Sequence, residues 1–424
     1  MPFSTRSDQV DVARSPWGTW TSDVRDDPFP HLADARARCP VQPVELPDGH
    51  DAWVVLDHDA ARQALRDPRL SKDMLAALAR DGGVVAEGLP GPAFARHLLA
   101  VDPPVHTRLR RLVGAALTSD RVAALEPAIR WRTATLLDRL ETDARTAEPV
   151  DLVDGFAHPL PFGVIGDLVG IPGEDHDHLR AWFRTLLTPG PGAPGPEVVT
   201  ASDSIVAYLS ALVAAKRRHP ADDLLSALLA VEDEEDGLDE QELLSTTFQL
   251  IVAGHDTTTS LIGNAVVALL DHPEQRDELV AEPDLLAGAV DELVRFTAPV
   301  PHATFRMTTE PITLGGVDVP AHEQVLVSLA AANRDPGAFA EPDRLDVRRP
   351  AVRHLGFGHG IHHCLGAPLA RLEARIALGA LLDRFPDLDL AVPRADLRWS
   401  RGDGLVLRGL DVLPVHLSPR KDPP

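Results

Sequence analysis

HLGFGHGIHHCLGAPLARLEARIALGALLDRF, residues 354–385, is the stretch whose reading decides the fold. Gly358, Gly360 and Gly366 surround a lone cysteine, Cys364, and an amphipathic helical pattern follows directly. Pro368 suits the first turn of that helix, which predicts Cys364 close to a helix N-terminus. Free backbone N–H groups and the positive end of the helix dipole favour a thiolate there. The glycines allow positive φ or a close backbone approach. A thiolate held this way is a nucleophile or a metal ligand.

Working outward, the chain reads as mainly α with small β-sheets placed late, an α+β class. Helical apolar spacing covers 56–80 (with Pro68 interrupting), 120–142, 173–187, 200–217 and, unusually long, 239–270. DPPVHTRLRRLVGAALT, from Asp102, predicts a helix opened by that aspartate with prolines in its first turn. Segments 81–95 and 189–196 (PGPGAPGP) read as loops, and the acidic run 232–240 as a solvated turn. Strand-like pieces lie at 312–320, 324–330 and 404–417. The net charge of −23 argues against a nucleic-acid partner. Two cysteines, Cys39 and Cys364, exclude a disulfide framework and fit a reducing cytoplasm. The amino terminus lacks a secretory pattern, and no run of about 20 apolar residues predicts a membrane span.

Three readings of Cys364 are open on local spacing: a structural cysteine, a zinc ligand with His359, His362 and His363, or the axial ligand of a haem iron. Zinc sites usually draw on two separated segments, and no second Cys/His pair is obvious. Other segments decide. FGHGIHHCLG resembles the haem-binding signature of cytochrome P450 monooxygenases, F-x-x-G-x-x-x-C-x-G, with Phe357, Gly360, Cys364 and Gly366 at its fixed positions. DELVRF resembles the family's E-x-x-R pair, AGHDTT its A-G-x-D/E-T-T segment, and HTRLR its H-x-x-x-R segment, all in the family's order. The similarity runs from about Pro28 to the end. It implies one domain over 28–424, a cytochrome P450 fold with a long central helix over haem, and an N-terminal extension over 1–27.

The resemblance implies haem b with an axial Cys364 thiolate. His106, Arg110, Arg306 and His362 face the propionates; Arg108 and Arg111 share a helix with Arg110 and are the competing assignments. Ala253 and Gly254 keep the central helix thin beside the haem. Asp256 and Thr257 pass protons toward bound dioxygen, unless Thr257 and Thr258 merely bond back to carbonyls one turn earlier. Glu292, Arg295 and Arg349 form a structural ion-pair cluster, with Arg348 the alternative third member.

The implied reaction inserts one atom of dioxygen into an organic substrate and releases the other as water. The likeness is greatest to soluble actinobacterial class I members that oxidise macrolides, other polyketides, terpenoids or steroids, in antibiotic and other secondary metabolism. Val84, Val85, Leu89, Val300, Ala303 and Val406 are the expected substrate-lining residues; they predict a medium to large neutral apolar molecule. Electrons are expected from a separate ferredoxin and its NAD(P)H-dependent reductase, docking on Arg108, Arg111, Arg371 and Arg375. Two other functions fit the same motif: a non-catalytic haem-thiolate binder or sensor, and an enzyme of oxidative coupling or rearrangement.

Overall fold

The computed structural model describes residues 24, 26–46, 50–73, 96–145, 149–187, 195–230, 237–350, 353–399 and 405–417. Its amino-terminal part alternates helix and strand: α1 (Phe29–Arg38), β1 (Val41–Glu45), β2 (Asp51–Val55), α2 (His58–Ala64) and β3 (Leu70–Ser71). The helix expected over 56–80 therefore ends at Ala64, ahead of Pro68, and Leu70 and Ser71 join a sheet. The middle is helical: α3 (Val105–Ala116), α4 (Ser119–Ala124), α5 (Glu126–Ala144), then β4 (Val150–Asp151), α6 (Pro159–Val169), α7 (His176–Leu187), α8 (Pro196–Arg218) and α9 (Leu224–Ala230). Beyond them run α10 (Glu240–Asp271), α11 (Pro273–Ala281), α12 (Leu286–Thr297), β5 (Arg306–Thr308), β6 (Ile312–Leu314), β7 (Val317–Val319) and β8 (Gln324–Val327). The last elements are α13 (Leu329–Ala332), α14 (Ala367–Arg384), β9 (Asp389–Leu390) and β10 (Pro414–His416).

α10 is the spine of the molecule. Asp239 accepts the Glu242 N–H, and Glu242 returns to the Asp239 N–H, so a capping box starts the helix. Its 32 residues span about 48 Å. From Leu261 to Leu269 every residue is buried, so this part of the helix needs neighbours on all sides. α6, α8, α12 and α14 supply them.

The largest sheet has the order β1-β2-β8-β5-β3. Trp53 pairs with Val325 and Val55 with Val327 in parallel, so the sheet joins the amino-terminal part to the segment that follows α12. The sheets are thus not confined to the late chain, because β1 and β2 are its first strands. Segment 312–320 is the β6–β7 hairpin, turned by Gly315 and Gly316 at φ 54° and 80°. Segment 324–330 changes from strand to helix at Ser328, whose side chain accepts the Ala331 N–H. Of 404–417, only Pro414–His416 is strand among the described residues.

α8 is long and apolar enough to meet a membrane-span criterion, contrary to the sequence expectation. Its stripe Val198, Ala201, Ile205, Leu209 and Leu212 is buried, and the helix packs on α7, α9 and α10, as an amphipathic core helix does. Asp102 does not cap α3. Its carboxylate accepts the Ser71 hydroxyl and the Lys72 N–H instead, tying the start of α3 to β3.

Candidate active site

The cysteine loop is shaped before it reaches α14. Gly360 has φ 74°, and a Cβ there would lie 2.6 Å from the Leu65 carbonyl oxygen, so both backbone angle and space demand glycine. The Cys364 N–H donates to the Phe357 carbonyl at 2.8 Å, closing the loop across its base. Gly366 is the N-cap of α14, and a Cβ on it would come within 4.0 Å of Cys364 Sγ. Cys364 is accessible to solvent, yet burial pushes its thiol up from the ordinary value. A thiol on the floor of a concavity has both properties. The Gly366 and Ala367 N–H groups and the Arg110 and Arg371 charges act the other way without prevailing. The dipole-stabilised thiolate expected from sequence is therefore outweighed by desolvation in the polypeptide alone.

Behind the loop, Arg295 is 0 % exposed and binds both oxygens of Glu292, at 2.7 and 2.8 Å. Arg349 reaches Glu292 Oε1 at 3.1 Å, whereas Arg348 turns outward to Glu278 and Glu282. Arg295 also donates to the carbonyls of Asn333, Pro342 and Arg344.

A group of basic side chains gathers beside the thiol. His106 (α3) and His362 meet ring to ring, with centroids 4.3 Å apart. Both nitrogens of His106 and Nε2 of His362 are buried without a hydrogen-bond partner. Burial, reinforced by Lys72, His106, Arg306 and Arg110, pushes His362 down to about 2. Burial and Arg110 lower His106, and burial lowers Arg306 to about 10. Lys72, 4 % exposed, contacts the Thr304 hydroxyl; burial and Arg306 hold its amine well below the lysine range. Asp102 is the one acid that opposes these shifts on Lys72, His106 and Arg306. Convergent donors with so little negative charge suit the paired carboxylates at the edge of a haem whose iron Cys364 would ligate. The residues fit the group. No motif marks Lys72 in the sequence, although it is one of only three lysines in a chain with 38 arginines.

On α10, Ala253 is exposed on the helix surface. Gly254 is not small for the sake of a cofactor: a Cβ there would meet Ile165 of α6 at 2.9 Å. Thr257 Oγ1 donates to the Ala253 carbonyl at 2.8 Å, and Thr258 Oγ1 to that of Gly254 at 3.2 Å. Asp256 is buried, 3.5 Å from Nε2 of His255. The loop histidines and Cys364 form no three-ligand cluster among the described residues; His158, His255 and Asp256 do.

Val300, Ala303 and Val406 are half-buried, while Val84, Val85 and Leu89 lie outside the described residues. His302 is no cation for the substrate cavity. It is fully buried, lowered to about 4 by desolvation, and its Nδ1 lies 2.8 Å from the Leu405 carbonyl, clamping two lining segments together. Of the expected docking arginines, Arg108 is committed to buried Glu242 and the Gly237 carbonyl. Arg371 pairs with Asp291 and stacks on Phe357, Arg375 lies 3.6 Å from Glu126, and Arg111 is exposed.

A sequence-family model for cytochrome P450 matches residues 183–390. Cytochrome P450 107B1 of Saccharopolyspora erythraea is 46 % identical over 385 residues, 89 % of this chain and 92 % of that protein. The cytochrome P450 monooxygenase PikC of Streptomyces venezuelae is 43 % identical over 403 residues, 94 % of this chain and 93 % of its own. Among solved structures, the tirandamycin C-bound P450 monooxygenase TamI superposes with TM-score 0.84 at 41 % identity, covering 94 % of this chain and 99 % of that one. With the thiol at the head of α14, the cationic edge beside it and α10 as the spine, the chain belongs to the cytochrome P450 family and is a monooxygenase.

Proposed function

We propose that this enzyme hydroxylates or epoxidises a bulky, neutral, apolar scaffold of the polyketide or macrolide type, in the cytoplasm, using haem b ligated by Cys364. The observation that carries the reading is the shared neighbourhood of thiol and basic side chains: His106 meets His362 ring to ring, with centroids 4.3 Å apart, two residues before Cys364. A flat cofactor with an iron centre and acidic edge would be held by that arrangement. His106, Arg110, Arg306, His362 and Lys72 hold the propionates. Bound there, haem supplies the activation of dioxygen.

The chain's own groups handle protons and substrate. The Thr257 hydroxyl gives its hydrogen to the Ala253 carbonyl, so it offers lone pairs and acts as an acceptor that holds an incoming donor. Asp256 is the acid that supplies the proton. The described lining is apolar, and His302 is neutral, which favours an uncharged substrate. Likeness to PikC and to the tirandamycin C complex supports the polyketide class. Electrons arrive from a ferredoxin and its reductase through the α3/α14 face, where Arg111 and Arg375 remain candidates and Arg108 does not.

The test is the reduced, carbon-monoxide-bound spectrum, followed by a macrolide and polyketide panel read by spin-state shift and product mass. A red-shifted thiolate band lost in Cys364→Ser, with a product one oxygen heavier, is expected. A band unaffected by that substitution overturns the ligation, and binding confined to small or anionic molecules overturns the substrate class.

A further inference from the structure

Asp256 does not face the solvent directly; its neighbours on the α6 side are histidines. His255 Nδ1 lies 2.6 Å from the Ile251 carbonyl, which can only accept, so Nδ1 carries a hydrogen. That leaves Nε2 turned toward Asp256 Oδ2 at 3.5 Å. A bare Nε2 facing a carboxylate oxygen in a buried site sets two acceptors against each other. One proton, on Nε2 or on Oδ2, relieves this. His158, at the N-cap of α6, brings a third ligating atom within 4.8 Å of the other two. The His255 ring is fixed by packing: His158, Phe162 and Phe183 surround it with centroids at 5.6, 5.2 and 5.9 Å. His158 is 3 % and His255 1 % exposed.

We propose that His255 and His158 are positioning residues that hold and replenish the proton Asp256 delivers. This rests on the reading of Asp256 as the proton-supplying acid. The shared proton passes from His255 Nε2 to Asp256 Oδ2, and Asp256 releases it toward Thr257, which leaves the two acceptors facing each other. His255 then recovers one from solvent water, relayed through His158. One proton enters and one leaves per delivery, no electrons move, and the pair returns to its starting charge. The energetic drive is the cost of leaving two buried acceptors opposed.

The experiment uses the full-length, haem-loaded enzyme with its redox partners. His255→Phe keeps an aromatic ring in the Phe162–Phe183 box and removes Nε2. Expected are an unchanged thiolate carbon-monoxide band, substrate affinity within about twofold of the parent, and a roughly tenfold rise in peroxide released per nicotinamide consumed. His255→Phe/Asp256→Asn should uncouple no more than Asp256→Asn alone. In nitrogen-15 histidine spectra of the ferrous carbonyl enzyme, His255 should show Nδ1–H, and its Nε2 signal should move in Asp256→Asn. If His255→Phe fails to bind haem, His255→Gln is measured in its place. A well-coupled His255 variant, with Asp256→Asn uncoupled, overturns the histidine relay alone. A well-coupled Asp256→Asn overturns the role of Asp256 itself.

Discussion

Arg349 Nε lies 3.1 Å from Glu292 Oε1, the oxygen that also accepts from Arg295 Nη2 at 2.8 Å and from the Asp346 N–H at 3.0 Å. One buried carboxylate thus joins α12 to the segment leading into the cysteine loop. Glu292→Gln leaves the Arg295 charge without its partner inside the protein, a loss on the order of 3–5 kcal/mol. Denaturant titration should register it, together with a collapse in haem-loaded yield. Arg348→Ala, which removes only outward pairs with Glu278 and Glu282, should leave the midpoint essentially unchanged.

Lys72 should matter for cofactor retention and not for chemistry. Lys72→Met removes one charge-assisted contact to a propionate, so haem transfer to a scavenger should accelerate roughly tenfold, with the thiolate band unmoved. An unchanged transfer rate would show that Lys72 serves Thr304 and Asp102 alone.

Ala253 and Gly254, adjacent in sequence, should respond oppositely. Gly254→Ala presses on Ile165 and should cost about 1–3 kcal/mol, leaving substrate affinity intact. Ile165→Val should recover part of that loss. Ala253→Phe should suppress substrate and carbon-monoxide binding at little cost in stability. Matching losses of affinity in the two variants would put Gly254 at the cofactor after all.

Glu373 on α14 is 1 % exposed, and burial holds its carboxyl well above the ordinary range. The folded protein therefore keeps a proton that the unfolded chain releases above about 4.5. Between those two values the native state binds more protons, so stability from this group falls as pH rises. Glu373→Gln cannot ionise. Its stability relative to the parent should climb from pH 5 upward, by at most about 1.4 kcal/mol per pH unit. A pH-independent difference between the two proteins would refute the neutral, protonated state.

Arg108 and Arg375 separate structure from docking. Arg108→Ala strips a partner from Glu242, which is 1 % exposed, so it should destabilise the start of α10 by about 2–4 kcal/mol while ferredoxin reduction proceeds at the parental rate. Arg111→Glu/Arg375→Glu should slow reduction, most at low ionic strength, with folding intact. Reduction kinetics insensitive to the second change would exclude that face.

What could be read from sequence was local. The cysteine loop announced itself because Phe357, Gly360, Cys364 and Gly366 match the family signature within ten residues, and Gly360 is demanded by its backbone. α10 was readable because its helical apolar spacing is contiguous in sequence; the expected 239–270 and the observed Glu240–Asp271 nearly coincide. Non-local relations escaped. β1 and β2 are five residues each, and their place depends on a parallel partner at Val325–Val327. Gly254 looked like a cofactor glycine until α6 brought Ile165 against it. Lys72 and His158 carry no motif, since each gains meaning only from side chains on other elements. Arg108 looked like a surface cation because Glu242 lies far along the chain.

Asn333 links two of these features: its carbonyl accepts from Arg295, and its Oδ1 accepts the Leu355 N–H at 2.7 Å, at the entrance to the cysteine loop. The ligand-bearing loop is thus moored to α12 by bonds within the polypeptide, whatever is seated above Cys364. In the life of the chain this divides maturation into two unequal stages. The thiol side sets as the protein folds. The cationic side stays electrostatically frustrated, with Lys72, Arg306 and His362 raising one another's cost. A prosthetic group with an anionic edge would relieve that cost on binding, and so complete the slot that folding leaves half finished.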